Sequence, residues 1–349
     1  MKSVVFKGPE SILFEERERP TIGPGELLIK IRTASICGTD LKIYRGGHYM
    51  LGHGENRVLG HELAGDIVEV GANVAKWQIG QRVSMAPNIG CGQCDMCRRG
   101  RNNLCTNIQV IGLTTDGAFQ QYMVVPEAAI HGGNLFVIPE TLDYESAALI
   151  EPLSCCFNTW KRLQVTPEDS VIIYGTGPIG TLFLKLAKAY GARQVILVGI
   201  INERIREVAV HGATHTINSL ETDVVDEVMQ LTDGKGVDVA LTCVPVPEVQ
   251  VQAIEVLALY GRLSLFAGLS KDARVEIDTN RIHYNSLQVS GTTGSSIEDY
   301  ARSLALVESG RITVKDLVTH RVPLEEAGNA FVKALAGDSL KTVFLPNGD

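Results

Sequence analysis

The chain has no long apolar run. Nothing in its 349 residues has the length or hydrophobicity of a signal sequence or a membrane span, and charges recur through the opening stretch MKSVVFKGPESILFEERERP. A cytoplasmic protein is the expectation. An excess of positive charge is also missing: 32 Lys and Arg stand against 40 Asp and Glu, a net charge of -8. That disfavours nucleic acid and anionic membrane surfaces as partners, because both select clustered cations. There are no internal repeats and no low-complexity tract. In a reducing cytosol disulfides are not expected, so the 8 cysteines need another purpose.

What is present is ordinary for a soluble globular protein, with 45% hydrophobic and 21% charged residues. At roughly 100–200 residues per domain, the length suggests two domains. The first part reads as short alternating segments with many Gly and Pro, among them Glu26–Ile31, Glu62–Gly71 and Phe119–Val125, an antiparallel β pattern. After Pro152 the pattern changes. Ser170–Tyr174 reads as a buried strand, and Pro178–Tyr190 sets Ile179, Leu182, Phe183, Leu186 and Tyr190 on one helical face. Strands at Gln194–Val198, Val237–Cys243 and Arg262–Ala267, with a helix at Glu203–His211, continue an alternation that argues for a doubly wound parallel sheet. Helices at Ile297–Ser309 and Pro323–Ala336 precede a last strand at Lys341–Leu345 that returns to the first domain. The expected fold class is α/β, with a β-rich domain from residues 1–152 and 291–349 and a nucleotide-binding domain from 153–290.

The segment CGQCDMCRRGRNNLC spaces Cys91, Cys94, Cys97 and Cys105 at x2, x2 and x7. Four thiolates this close in sequence can enclose one tetrahedral Zn²⁺ without help from distant parts of the chain, and Gly90, Gly92 and Gly100 permit the tight turns required. An iron–sulfur cluster and a redox couple are the competing readings. With all four positions filled by protein, such a zinc is structural.

Gly175-Thr176-Gly177-Pro178-Ile179-Gly180 fits G-x-G-x-x-G between an expected strand and an expected helix, the context that makes this pattern a dinucleotide turn. Gly175, Gly177, Pro178, Ile179 and Gly180 are therefore candidate cofactor residues. The acid normally found about 20 residues on, which binds the ribose hydroxyls, is absent, and Ile200 fills its place. Without that carboxylate a 2′-phosphate is not repelled. Arg204, and with it Arg206, is in position to meet one, unless both only line a solvated helix face. The expectation leans to NADP over NAD. Thr292, after the strand-like LQVSG, is a candidate contact for the nicotinamide end.

Three single-site pieces remain: Cys37 in ICGTD, His61-Glu62 in GHELAG and Glu151 in ALIEPL. Thiolate, imidazole and carboxylate form a mixed set suited to a catalytic zinc with one open position. In this order and at these separations, CGTD, GHE, the four-cysteine segment, EP and GTGPIG resemble the zinc-containing medium-chain dehydrogenase/reductase family over essentially the whole chain. The Glu151-Pro152 pair and Glu62 resemble its polyol (sorbitol or L-iditol) and threonine branches. The resemblance implies a GroES-like catalytic domain, a Rossmann domain, two zinc ions per chain and a homotetramer or dimer. It assigns Cys37, His61 and Glu151 to the catalytic zinc, with Glu62 beside it or ligating it, and Thr39 as the hydroxyl that relays the substrate proton.

The reaction implied is hydride transfer from a secondary alcohol of a polyol to NAD(P), giving a ketose. Lys42 stands where those branches commonly carry a histidine, which weakens the threonine reading. Lys42 and Arg45, read as part of a loop with Tyr44 and His48, suit a phosphorylated sugar alcohol, and short diols stay open. Two other classes compete: a zinc-free reductase, which would lack these ligands, and a non-catalytic nucleotide-binding scaffold.

Overall fold

The nine-residue strand Leu27–Ser35 is the spine of the first of two compact units in the computed structural model, which describes residues 1–51 and 56–348. Its sequence, LLIKIRTAS, sets apolar residues against the core on both faces, and seven of its nine side chains are buried. Glu62–Val70 pairs antiparallel along its length, and Tyr122–Val125 pairs with it as well. The full sheet runs Leu135–Val137, Arg82–Met85, Glu62–Val70, Leu27–Ser35, Lys341–Phe344, Val318–Val322. The last two strands come from the end of the chain, so the unit comprises Met1–Ser154 together with Gly294–Asp349. A smaller sheet joins Ser11–Glu16, Lys2–Gly8 and Arg57–Val58.

The core of this unit centres on Phe119, fully buried, edge-on to Phe344 at 4.9 Å and to Phe331 at 6.1 Å. Gly60 lies against the same ring. Its φ of +94° suits glycine, and a Cβ there would stand 2.5 Å from Phe119 Cδ1. This close approach places the following residue, His61, at the start of the Glu62–Val70 strand.

The second unit, Cys155–Thr293, is a six-stranded parallel sheet in the order His215–Asn218, Gln194–Gly199, Ser170–Tyr174, Val237–Thr242, Leu257–Leu265, Gln288–Gly291. This is the doubly wound order that reverses at the first strand. All five residues of Ser170–Tyr174 are buried, as a central parallel strand requires. The helix Pro178–Tyr190 starts with proline in its first turn and stops at Gly191 in the left-handed conformation.

Two local expectations change. Lys42 and Arg45 are not in a loop: Gly38–Gly46 is a helix, closed at its start by Cys37 and Asp40, and both cations are exposed on it. Tyr44 of the same helix packs against Phe331, ring centroids 5.5 Å apart. The stretch expected as one helix from Pro323 begins as a 3₁₀ turn, Leu324–Glu326, and becomes α-helical only over Ala327–Ala336. Among the described residues no helix is long and apolar enough to cross a membrane.

Because Phe119 fills the space between two other rings and Gly60, Phe119→Ala should leave a cavity that the rigid sheet cannot close. The expected loss is about 3–5 kcal/mol, read as a lower denaturant midpoint for the first unit.

Candidate metal centres and cofactor turn

Cys37 ends the stretch after the spine strand and caps the Gly38–Gly46 helix. Its Sγ accepts from Thr39 N at 3.5 Å, and Asp40 Oδ2 accepts from Cys37 N at 2.9 Å. This reciprocal cap fixes the direction of the thiol. Asp40 is itself buried. Its Oδ1 accepts from Gly60 N at 3.4 Å and stands 3.6 Å from His61 Nδ1, too long for a hydrogen bond but close enough for charge to act. One carboxylate thus ties the Cys37 turn to the His61 turn.

The donor atoms of Cys37, His61 and Glu62 lie within 4.8 Å of one another. Glu151, buried in the first turn of the helix Ile150–Leu163, is not in that set, but its charge acts on His61. Burial pulls the His61 pKa down. The Cys37 thiolate, Asp40 and Glu151 outweigh it and hold the imidazole well above the ordinary histidine value. Burial raises the Asp40 carboxyl, against the lowering effect of His61. Thr39, half-buried in the first turn, is next to this cluster in the chain.

Sequence reasoning leaves Lys341 as a cofactor contact or a strand-edge residue and misses its partner. The lysine is buried, 279 residues from Glu62, and donates to both Glu62 oxygens, at 2.5 and 2.6 Å, and to Ile36 O at 3.1 Å. Burial lowers its pKa, and Glu62 and Cys37 more than restore it. Nothing in the pattern KTVF marks it, because a lysine in a short strand reads as an exposed edge residue. Asp40 carried more signal, as the fourth letter of CGTD. The donor set fits zinc in kind: a thiol, an imidazole and carboxylates, one of them already compensated by an ammonium.

The four cysteines form a separate cluster, their sulfurs also within 4.8 Å of one another. Backbone amides converge on them: Cys91 N and Asn107 N donate to Cys105 Sγ at 3.2 and 3.3 Å, and Cys94 N to Cys91 Sγ at 3.4 Å. Amides of Cys97 and Thr106 bring the Cys94 thiol down to about 6, while burial pushes Cys97 up to about 12. A Cβ on Gly90 would stand 2.7 Å from Cys97 Sγ, so glycine is what lets the sulfur close in. None of the chain's cysteines is in a disulfide.

In the second unit Gly175 has a φ of +122°, and a Cβ on Gly180 would lie 2.0 Å from Gly175 O. Gly177 is exposed with open space beside it, leaving backbone accessible where a pyrophosphate sits in such turns. Pro178 and Ile179 form the first helical turn and are half-buried. Gly199, which ends the second strand, faces the turn, its virtual Cβ 2.7 Å from Thr176 Cγ2, while Ile200 is 57% exposed. Ile200 is the first residue after that strand, an exposed place where no carboxylate stands. Arg204 pairs with Glu207 and Arg206 with Glu203, both at 2.9 Å. The Thr292 hydroxyl is 2.5 Å from that of Thr159.

Residues 23–134 match the alcohol dehydrogenase GroES-like domain and residues 178–309 the zinc-binding dehydrogenase domain. The chain is 33% identical to the sorbitol dehydrogenase of Bacillus subtilis (strain 168) over 353 residues, covering 99% of this chain and 98% of that one. The chain belongs to the zinc-containing medium-chain dehydrogenase/reductase family. It is an enzyme of that family, a zinc-dependent alcohol dehydrogenase that uses NAD(P), with a GroES-like unit and a Rossmann unit. It is also 38% identical to the L-threonine 3-dehydrogenase of Pyrococcus abyssi (strain GE5 / Orsay) over 350 residues, covering 99% and 97% of the two chains. A solved zinc-binding dehydrogenase of Sinorhizobium meliloti 1021, bound to NADP, superposes with a TM-score of 0.91 at 32% identity, covering 99% of each chain.

Two outcomes follow for this dehydrogenase. Lys341→Met strands the Glu62 carboxylate without its counter-charge and should cost about 3–5 kcal/mol of stability, most of it recovered when Glu62→Gln is added. Gly180→Val cannot form the turn; NAD(P)H binding followed by fluorescence should be lost while the zinc content of the protein is unchanged.

Proposed function

We propose that the chain is a polyol dehydrogenase that oxidises a secondary hydroxyl to a ketone. The convergence of Cys37, His61 and Glu62 within 4.8 Å, with Glu151 close enough to act on His61, carries the reading. Cys37, His61 and Glu151 are assigned as ligands of a catalytic zinc, and Cys91, Cys94, Cys97 and Cys105 as ligands of a structural one, two ions per chain. Glu62, whose oxygens accept from Lys341 and lie within the same 4.8 Å as the donors of Cys37 and His61, is assigned beside the ion or as a further ligand.

Bound zinc supplies a Lewis acid that favours the deprotonated form of a substrate hydroxyl, and bound nicotinamide accepts the hydride. The chain's own residues do the rest. Thr39, in the first turn of its helix, accepts the hydroxyl proton as it releases its own toward solvent. Asp40 steadies His61 while its partner bond to Cys37 N holds the thiol. Lys341 offsets the Glu62 carboxylate, so that the site is no more negative than a dication can balance.

Gly175, Gly177, Pro178, Ile179 and Gly180 are assigned to the pyrophosphate, and Thr292 to the nicotinamide end. The absence of an acid at Ile200 supports NADP over NAD, as does the NADP in the Sinorhizobium meliloti relative. Arg204 would have to leave Glu207 to reach a 2′-phosphate. A homo-oligomer, tetramer or dimer, is part of the proposal, as is a location in the cytoplasm.

A threonine-type substrate is the second reading, favoured by the higher identity to the Pyrococcus abyssi enzyme. The deciding experiment is a panel of polyols, polyol phosphates, short diols and L-threonine, assayed with NAD and NADP alongside a metal count. Turnover of a polyol with two zinc ions per chain is expected. Cys37→Ser and Glu151→Ala should each lower kcat/KM at least about 100-fold and reduce the count to one, since a missing ligand removes the ion that lowers the barrier. Normal turnover in both variants, or activity confined to L-threonine, would sink the proposal.

A further inference from the structure

Behind the Glu62 side of the catalytic cluster lie hydroxyls that the reaction does not use. Glu62 and Ala64 are two residues apart on one strand and so face the same way. Ser35 pairs opposite Glu62, Ser84 opposite Ala64, and Phe136 opposite Ser84. These side chains therefore share one face of the sheet. Tyr300, on the helix Ile297–Glu308, lies over that face with its ring stacked on Phe136 at 4.8 Å.

Tyr300, Ser84 and Ser35 are fully buried, and none of their hydroxyl oxygens has a partner at ordinary hydrogen-bond distance among the described residues, Tyr300 and Ser84 meeting only at longer range. A buried hydroxyl without a close partner is costly, so three beside one carboxylate cluster call for one. Burial drives the Tyr300 phenol far above its usual value. Ser84 pulls against that shift, and the charges of Glu151 and Glu62 add to it. The phenol is thus near Ser84 and within reach of the charges of both carboxylates. On the Glu62 strand the next residue on this face is Ala64, whose side chain is a methyl.

We propose that Tyr300 and Ser84 hold a buried water above Ala64, which donates to a carboxylate oxygen of Glu62 or Glu151. Tyr300 is then a positioning residue acting on the carboxylate through the water. The site has the polar partners that a buried water needs, two hydroxyls and a carboxylate. The Lys341 ammonium leaves the Glu62 oxygens with further lone pairs to accept from it. Ser35, on the other side of Glu62, is placed to extend the same chain of hydroxyls.

The consequence for zinc rests on the ligand set proposed above; the water does not. A high-resolution crystal structure of the unaltered, zinc-loaded enzyme should show a density peak about 2.5–3.0 Å from Tyr300 Oη, Ser84 Oγ and one of the two carboxylates. Tyr300→Phe and Ser84→Ala should each speed zinc release to a chelator about tenfold, with no further gain in the double variant, because both remove the same water. Thermal melting checks that the variants fold. A dry site in the unaltered protein, or release unchanged or multiplied in the double variant, overturns the proposal. A count of one zinc per chain instead fails the ligand assignment and leaves the density peak to decide the water.

Discussion

Buried negative charge has to be answered from inside the protein. Cys37, Asp40, Glu62 and Glu151 are drawn together where water is largely excluded, and each carries a negative charge when deprotonated. Removing one carboxylate from water costs several kcal/mol even after relaxation. Lys341 answers one of these charges directly, with short bonds to both oxygens of Glu62. The rest leave a strongly negative pocket, which suits a dication held by thiolate, imidazole and carboxylate. Because Lys341 arrives on the final strand and Glu62 on an early one, the counter-charge exists only when the two ends of the chain share a sheet.

The packing of the first unit serves that closure. Phe344, three residues from Lys341, lies edge-on to Phe119, and Phe119 presses against Gly60, the residue before His61. Hydrophobic burial and metal-site geometry are therefore set by one continuous set of contacts. Asp40 is the polar counterpart of this arrangement, bonded to the amides of Cys37 and Gly60. Outer groups of this kind orient metal ligands and tune their basicity.

The two metal centres differ in how they are built. Cys91 and Cys105 are only 14 residues apart, and backbone amides of the same segment point at the sulfurs. Such a lobe closes locally, at little cost in chain entropy. The cluster around His61 uses residues from four separate parts of the chain and exists only in the finished sheet. The dinucleotide turn is local like the cysteine lobe: its glycine requirements, a positive φ at Gly175 and a Cβ-free Gly180, are met within six residues.

This contrast decides what was legible before folding. The sequence by itself determined the alternation of strands and helices in the second unit, the cysteine lobe and the glycine turn, because each depends on neighbours a few residues away. It also showed Cys37, His61 and Glu151 as candidates, through residue types and order. The helical state of Lys42 and Arg45 depends on a cap made by Cys37 and Asp40, which the eye reads as a ligand and a motif letter. Only the tertiary structure decided that Lys341 compensates Glu62, that Asp40 joins two turns, and that Tyr300 lies over Ser84. Those relations span up to 279 residues, and no local propensity or period encodes a contact that forms only when distant strands come into register.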